Sequence, residues 1–374
     1  MIVVVGAGSI GKRHLANLVE CGARELAVVD PRPERRQEAI QRAQSALGSG
    51  PVRVLECSSS EEIYGRGPAP EAVVIATPPS SHPEEIRRAV RAGAALLCEK
   101  PLAKDSESTE ELQRLTAEQE ASGRVGMIAY NYRFSSQLLM VRKMLLDGEV
   151  GRVLTVRGTF SENLREWHPW EGLNFYMSSP EQGGGALLDE SHLIDLCRWL
   201  FGEIAEVAGY NRAVSNLKED PVFKADDLVE ILVRFESGAL GSLHMDLFGK
   251  YHQKRLEIIG EEATLFWDYD NTDIESNSIR LWKGRRARIS PEFSRRLPEK
   301  VLPTDWQVRN RMYLDEIRYF LDSVKAGKHL RPDVPDLRDG LRTLSVLQAA
   351  RRAERSRKTE AVAPVSFAAA PLAS

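Results

Sequence analysis

Residues 2–11, Ile-Val-Val-Val-Gly-Ala-Gly-Ser-Ile-Gly, run four consecutive apolar side chains straight into glycines at Gly6, Gly8 and Gly11. This pattern is a buried strand feeding a phosphate-binding turn. Gly6 supplies the tight turn, Gly8 lets the backbone approach a pyrophosphate, and Gly11 lets the following helix pack closely on the strand. The helix start at Ser9 and Ile10 offers free N–H groups to the anion. Beyond it, Ile10, His14, Leu15 and Leu18 recur at helical spacing, and Leu26-Ala27-Val28-Val29 forms a second strand ending in Asp30. An acid about 20 residues past the glycines is where the adenosine ribose hydroxyls are bound. The stretch therefore predicts a dinucleotide site. Asp30 favours NAD, while Arg32 and Arg35, which could neutralise a 2′-phosphate, leave NADP open.

Outward from this start, residues 33–47 read as a helix, 52–55 as a third strand and 72–76 as a fourth. The fourth strand enters Thr77-Pro78-Pro79-Ser80-Ser81-His82, where two prolines are expected to forbid helix and hold an extended loop. A helix over 83–92 leads to a fifth strand, 94–98, ending in Glu99-Lys100-Pro101. Ligands of open α/β sheets bind outside the carboxyl ends of the strands, so Thr77, Pro78, His82, Glu99 and Lys100 join the candidate cofactor contacts. A helix over 106–121, capped by a serine, and a strand over 125–129 complete a Rossmann-like domain, 1–130.

The pattern then changes. Strands at 153–160, 206–212, 228–235, 239–247, 255–259, 264–267 and 279–282 follow one another with few helices between them. This predicts an α+β domain over 131–355 with a large, mostly antiparallel, open sheet and two late helices, 311–326 and 337–355. Glu236-Ser237-Gly238 reads as a hairpin turn. Residues 356–374 are expected to form a mobile tail, and no internal repeat is visible.

Composition narrows the function classes. The 374 residues carry 51 basic and 54 acidic side chains, a net charge of −3, so no field favours nucleic acid or an anionic membrane. No apolar run is long enough to span a bilayer, and the first strand begins at Ile2, leaving no room for a signal peptide; a cytoplasmic protein is expected. Cys21, Cys57, Cys98 and Cys197 lack CxxC spacing, which predicts reduced thiols and no metal site.

Three constellations could carry chemistry. Lys100, between an acid and a proline at the end of a buried strand, is placed to polarise an oxygen or relay a proton; an ion pair with Glu99 is its plainer reading. Gly183-Gly184-Gly185 leads into a helical pattern holding Asp189, His192 and Asp195, spaced to share one helix face. The glycines are expected to bring backbone and a helix N-terminus close to a ligand, and a carboxylate beside an imidazole suits a general base; a satisfied structural histidine is the plainer reading of His192 taken alone. Third, Asn163, Trp167 and His168 in the stretch 163–170, with Tyr130, Asn131, Tyr132 and Arg133, combine amide, aromatic and charged groups suited to a polyhydroxylated ligand; an ordinary packed loop is the plainer reading.

Together GAGSIG with Asp30, the segment 76–82, Glu99-Lys100-Pro101, the run Tyr130–Phe134 and the glycine-Asp-His-Asp helix resemble the glucose–fructose oxidoreductase/inositol dehydrogenase (Gfo/Idh/MocA) family over residues 1–355. The resemblance implies a Rossmann domain followed by an α/β domain with a large open sheet, NAD(P)-linked chemistry on sugars or cyclitols, and a homodimer or homotetramer formed through that sheet. It assigns catalysis to Lys100, Asp189 and His192. One departure stands out: the common family form places Asp four residues before His with glycine between, whereas Asp189 is three before His192 and Ser191 takes the glycine's place. This variant, with the Trp167–Trp170 loop, is similar to members of sugar-nucleotide and secondary-metabolite pathways. The expected activity interconverts a secondary alcohol and a ketone on a sugar, sugar-nucleotide or cyclitol ring. Alternatives are glycoside cleavage by transient oxidation and a non-catalytic NAD-binding sensor or scaffold.

Overall fold

A computed structural model describes residues 1–46, 51–65, 69–167, 172–269, 278–283 and 310–365. The chain forms two compact units. One comprises Met1–Asn131 with Met312–Arg342, and the other Tyr132–Arg311 with Thr343–Pro364.

The first unit alternates strand and helix: β1 (Ile2–Val5), α1 (Ser9–Glu20), β2 (Glu25–Val29), α2 (Pro33–Gln44), β3 (Arg53–Cys57), α3 (Ser60–Gly65), β4 (Ala72–Ile75), α4 (His82–Arg91), β5 (Ala95–Cys98), α5 (Thr109–Ala121) and β6 (Gly126–Ile128). All the strands are parallel, in the order β3-β2-β1-β4-β5-β6. Val3, Val4, Val28, Val74, Leu96 and Leu97 are wholly buried, as strands covered on both faces require. The strand order reverses between β1 and β4, which opens a crevice at their carboxyl ends. The two prolines do not hold an extended loop there. Pro79–Ser81 makes a single 3-10 turn and α4 starts at His82, because proline in a first helical turn lacks only an N–H that has no intrahelical partner. Likewise α5 starts at Thr109, with Ser108 rather than Ser106 accepting from the Glu110 N–H.

The division at 130/131 and a single second domain to 355 do not describe the late helices. In α10 (Arg311–Ala326), Leu314, Ile317 and Phe320 are buried, and most of that helix belongs to the first unit. The reason is the edge of the sheet. The Ile128 N–H donates to Pro335 O at 3.0 Å and Met127 bridges Asp336, so the returning chain covers the outer edge of β6, which would otherwise be unpaired. Helix α11 (Leu337–Ser356) belongs to the first unit through Arg342 and to the second from Thr343.

The second unit has α6 (Ser136–Leu146), β7 (Val153–Asn163), α7 (Leu164–Trp167), α8 (Ala186–Asp189), α9 (Ser191–Phe201), β8 (Ile204–Arg212), β9 (Leu228–Phe235), β10 (Leu240–Asp246), β11 (Phe248–Gly260), β12 (Ala263–Tyr269), β13 (Ser278–Lys283) and β14 (Glu360–Ala361). The sheet runs β13-β12-β11-β7-β10-β9-β8-β14, antiparallel except where β10 pairs β7. Part of the expected mobile tail is thus strand, since Glu360 and Ala361 pair with Val207 and Glu206. Val229, Ile231, Val233 and Phe235 of β9 face the core, while Glu230 and Leu232 face out. Helix α9 lies on β7 where Gly158 has no side chain; a Cβ there would stand 2.8 Å from Leu193 Cδ1.

Candidate active site

In the first unit the three glycines divide by task. A Cβ on Gly6, whose φ is +97°, would lie 2.5 Å from Ala76 O, and one on Gly11 would lie 1.9 Å from Gly6 O. A Cβ on Gly8 would meet only Arg35 Nη1 at 3.8 Å, so protein packing does not explain that glycine, whereas close approach by a ligand does. Gly8 is also the N-cap of α1, supplies no side-chain cap and precedes a first turn without acids, leaving the N–H groups around Ser9 and Ile10 for an anion. Asp30 is buried; its Oδ2 accepts from the Ala7 N–H at 3.0 Å and its Oδ1 from the Arg32 N–H and Nε at 3.0 and 3.2 Å. Burial pushes its carboxyl up, but these backbone donors and the Arg32 guanidinium outweigh it and hold it below the usual range, ionised to accept ribose hydroxyls. These residues fit NAD.

Thr77 and Pro78 leave the end of β4 half-buried, and Lys100 leaves β5 half-buried. Two expected cofactor contacts hold backbone or neighbouring side chains instead. His82 is fully buried, its Nδ1 2.9 Å from Pro101 O and its Nε2 2.9 Å from Thr77 O, so it ties the loop after β4 to the one after β5. Glu99 Oε1 lies 2.7 Å from His14 Nε2 on α1, and its Oε2 accepts from the Lys100 N–H at 3.2 Å. Burial raises the Glu99 carboxyl, yet the bond and charge of His14 and the charge of Lys100 bring it below its ordinary value. Tyr130 is wholly buried in this unit.

In the second unit Asp189, His192 and Asp195 do not share one helix. The helix breaks at Glu190 (φ −85°, ψ 19°), so Asp189 ends α8 and His192 lies in the first turn of α9. Nor do the glycines carry α8 toward a ligand. Its first N–H groups are satisfied by Asp226, through Ala186 N–H to Asp226 O and Leu187 N–H to Asp226 Oδ2, both 2.9 Å. A Cβ on Gly184 would lie 2.3 Å from Tyr176 O, so tight packing within the protein explains that glycine. Asp189 Oδ1 accepts from the Tyr176 hydroxyl at 3.2 Å, and the His192 ring meets the Tyr132 ring edge-on with centroids 5.0 Å apart. Both oxygens of Asp195 accept from Arg133, at 2.9 and 2.6 Å. Arg133 is therefore a buried anchor of α9 rather than an outward-facing substrate contact. Asn163 accepts from the Arg165 N–H and donates to Glu166 at the start of α7. Trp167 ends α7; its side chain and His168 lie outside the described residues.

Residues absent from the sequence expectation complete the surroundings of His192. Lys254 on β11 is buried, with its Nζ bonded to Glu162 and 3.2 Å from Glu190 Oε2, and His252 Nε2 is 3.2 Å from Glu162 Oε2. A signal existed: Glu162 and Lys254 occupy inward positions on strands where Phe160, Leu256 and Ile258 are apolar. Among the described residues no group of His, Cys, Asp and Glu could hold a metal ion.

A parallel sheet ordered 3-2-1-4-5-6 with an open glycine turn at its reversal, followed by a largely antiparallel sheet carrying buried acid, imidazole and lysine groups, defines a two-unit dinucleotide-binding protein. Residues 1–127 match the model for an oxidoreductase family with an NAD-binding Rossmann fold, and residues 138–266 match the GFO/IDH/MocA C-terminal domain. The chain belongs to the GFO/IDH/MocA family and is an NAD-linked oxidoreductase. It is 30% identical over 225 residues to levoglucosan dehydrogenase of Pseudarthrobacter phenanthrenivorans, an alignment spanning 54% of this chain and 56% of that relative's length. It is 27% identical over 340 residues to scyllo-inositol 2-dehydrogenase (NAD(+)) of Bacillus subtilis, across 89% of this chain and 88% of that protein. A levoglucosan dehydrogenase solved with NADH and levoglucosan shares the fold at a TM-score of 0.77 and 23% identity, covering 96% of this chain and 98% of the other. WlbA dehydrogenase from Bordetella pertussis, solved with NADH and UDP-GlcNAcA, does so at 0.74 and 23%, covering 98% of both.

Proposed function

We propose that the protein interconverts a secondary alcohol and a ketone on a sugar, sugar-nucleotide or cyclitol ring, with Lys100, His192 and Asp189 as its catalytic residues. The observation that carries this reading is the helix break at Glu190, which sets the Asp189 carboxylate at the end of α8 and the His192 imidazole in the first turn of α9, in a chain whose other unit fits NAD. The relatives' printed activities, on inositols and levoglucosan, support the ring class. NAD, when bound, accepts or returns the hydride. In the oxidative direction His192 takes the hydroxyl proton; its Nδ1 is buried, so Nε2 is assigned the transfer. Lys100 is assigned to hold a substrate oxygen through its ammonium and to stabilise developing negative charge. Asp189, steadied by the Tyr176 hydroxyl, binds a neighbouring hydroxyl. Asp30 supports a preference for NAD over NADP.

Two further properties belong to this reading. The outward side of the second unit's sheet exposes Leu232, Leu240 and Tyr210 at 63, 56 and 52%, which supports a homodimer or homotetramer assembled on that face. Ile231 and Val233 of β9 are inward and take no part in that face. No helix among the described residues is long and apolar enough to cross a membrane. A cytoplasmic site of action is supported by the scattered cysteines, which suit a reducing compartment.

The test is turnover at 340 nm with scyllo-inositol, levoglucosan and UDP-GlcNAcA. Lys100→Ala and His192→Ala should each lower kcat by about 10²-fold or more while NADH binding changes little. Wild-type turnover in both variants would remove the proton-transfer assignment. Release of free sugar with no net NADH would replace it with glycoside cleavage by transient oxidation.

A further inference from the structure

Beneath His192 the second unit buries an ion cluster that the reaction outlined above does not use. Lys254 faces inward from β11, in line with Leu256 and Ile258, and is 4% exposed. A buried ammonium costs several kcal/mol in lost hydration, and here two equally buried carboxylates offset that cost: Glu162 from β7 and Glu190 from the break between α8 and α9. Burial alone would lower the Lys254 pKa, but the two carboxylates raise it well above its ordinary value, so it stays charged. Well-packed apolar side chains of similar size would stabilise such a site as well or better. Stability therefore does not explain the cluster, and its geometry offers another reason.

Lys254 reaches the neighbourhood of His192 by two routes. Through the backbone, its ammonium holds the carboxylate of Glu190, the residue whose φ and ψ turn the chain from α8 into α9 two positions before His192. Through side chains, its Nζ lies 5.6 Å from the centroid of the Tyr132 ring and 4.5 Å from that of Phe160, and Tyr132 in turn meets the His192 ring at 5.0 Å with an interplanar angle of 68°. The cation attracts the ring faces. Tyr132 is thereby fixed against both the ammonium and the imidazole.

We propose that Lys254 is a positioning residue for His192, holding the α8–α9 break through Glu190 and the imidazole's orientation through Tyr132. The proposal rests on the reading of His192 as the proton-transfer group. A misplacement of about 1 Å in such a group can cost about 10²-fold in rate, so the clamp belongs to the rate and not to cofactor affinity.

The test compares the wild type, Lys254→Met, and a neutral triple variant, Lys254→Met with Glu162→Gln and Glu190→Gln, which leaves no member of the triad charged should the single variant fail to fold. The expected result has three parts. Both variants bind NADH as the wild type does; kcat falls about 10- to 100-fold with little change in the NADH KM; and the triple variant recovers melting temperature but not kcat. The imidazole resonance that disappears in His192→Gln, followed in ¹³C-histidine-labelled protein, should also shift or broaden in both variants. Recovery of kcat together with melting temperature would mean a purely structural cluster and would overturn the proposal. An unmoved His192 resonance in the folded variants would overturn it as well, and that readout needs no substrate. Failure of the underlying reading has a separate signature, full turnover in His192→Ala.

Discussion

Glu316 on α10 is wholly buried, and neither carboxyl oxygen has a hydrogen-bond partner. Burial, reinforced by the negative charge of Glu99, pushes its pKa well above the ordinary 4.5. The folded chain therefore keeps this proton over a range of pH where the unfolded chain has already released it. Between the two pKa values the folded state binds more protons, so the residue's contribution to stability falls as pH rises through that window. Glu316→Gln removes the titration. Its melting temperature should match the wild type most closely near pH 4.5 and exceed it by a growing margin toward pH 8. A margin that stays constant or narrows with pH would place the carboxyl in the ionised state and reject the argument. The charge on Glu99 survives the same burial because His14 and Lys100 supply the opposite sign. Two acids within one unit thus hold opposite protonation states for reasons that depend wholly on their neighbours.

At the scale of elements, two glycine turns that look alike in sequence prove to be different devices. Gly8 caps α1 and has open space where its side chain would be, while Gly184 leads toward α8 with backbone carbonyls 2.3 and 2.4 Å from an added Cβ. Gly8→Ala should therefore leave the melting temperature almost unchanged and weaken NADH binding by an order of magnitude or more, since the methyl group would occupy the approach of the pyrophosphate. Gly184→Ala should do the reverse, lowering stability by about 1–3 kcal/mol through overpacking while the folded fraction binds NADH normally. Calorimetric titration beside thermal melts separates the two, and equal effects on both quantities would mean that the turns are not distinct. The same contrast explains what could be read in advance. The Rossmann half was legible because its signals are local: apolar runs for buried strands, glycines at fixed offsets and an acid at the end of β2. The break at Glu190 was not, because the charge that grips it sits 64 residues later on β11. The reading of Asp189, His192 and Asp195 as one helix face followed correctly from spacing, but spacing cannot register an Arg133 that claims Asp195 or a Lys254 that claims Glu190. Strand parity is legible as well: Glu230 and Arg234 mark the outward side of β9 and leave Ile231 and Val233 inward.

At the scale of the whole molecule, the outward side of the second sheet is neither fully polar nor fully apolar. Leu232 pairs across the ladder with Ser242 on β10 and Ala208 on β8, and Leu240 pairs with Arg234 and Thr155. His244 joins Glu230 at 2.6 Å and Asp246 at 2.8 Å, with its pKa raised to about 9 first by the Asp246 bond. Large apolar side chains ringed by satisfied charges are the composition of an interface with an apolar centre and a polar rim. A lone exposed leucine would need no explanation, but Leu232, Leu240 and Tyr210 on adjoining strands form a patch that a second copy of the chain would cover. Light scattering at micromolar concentration should return a multiple of the 41.8 kDa chain mass. Leu232→Glu with Leu240→Glu should shift that mass toward a single chain, because burying two new carboxylates across a symmetric interface is repeated by the partner. The variant should still bind NADH, since the glycine turn belongs to the other unit. A wild-type mass of one chain would refute assembly outright. An unchanged multiple in the double variant would move the interface away from this face.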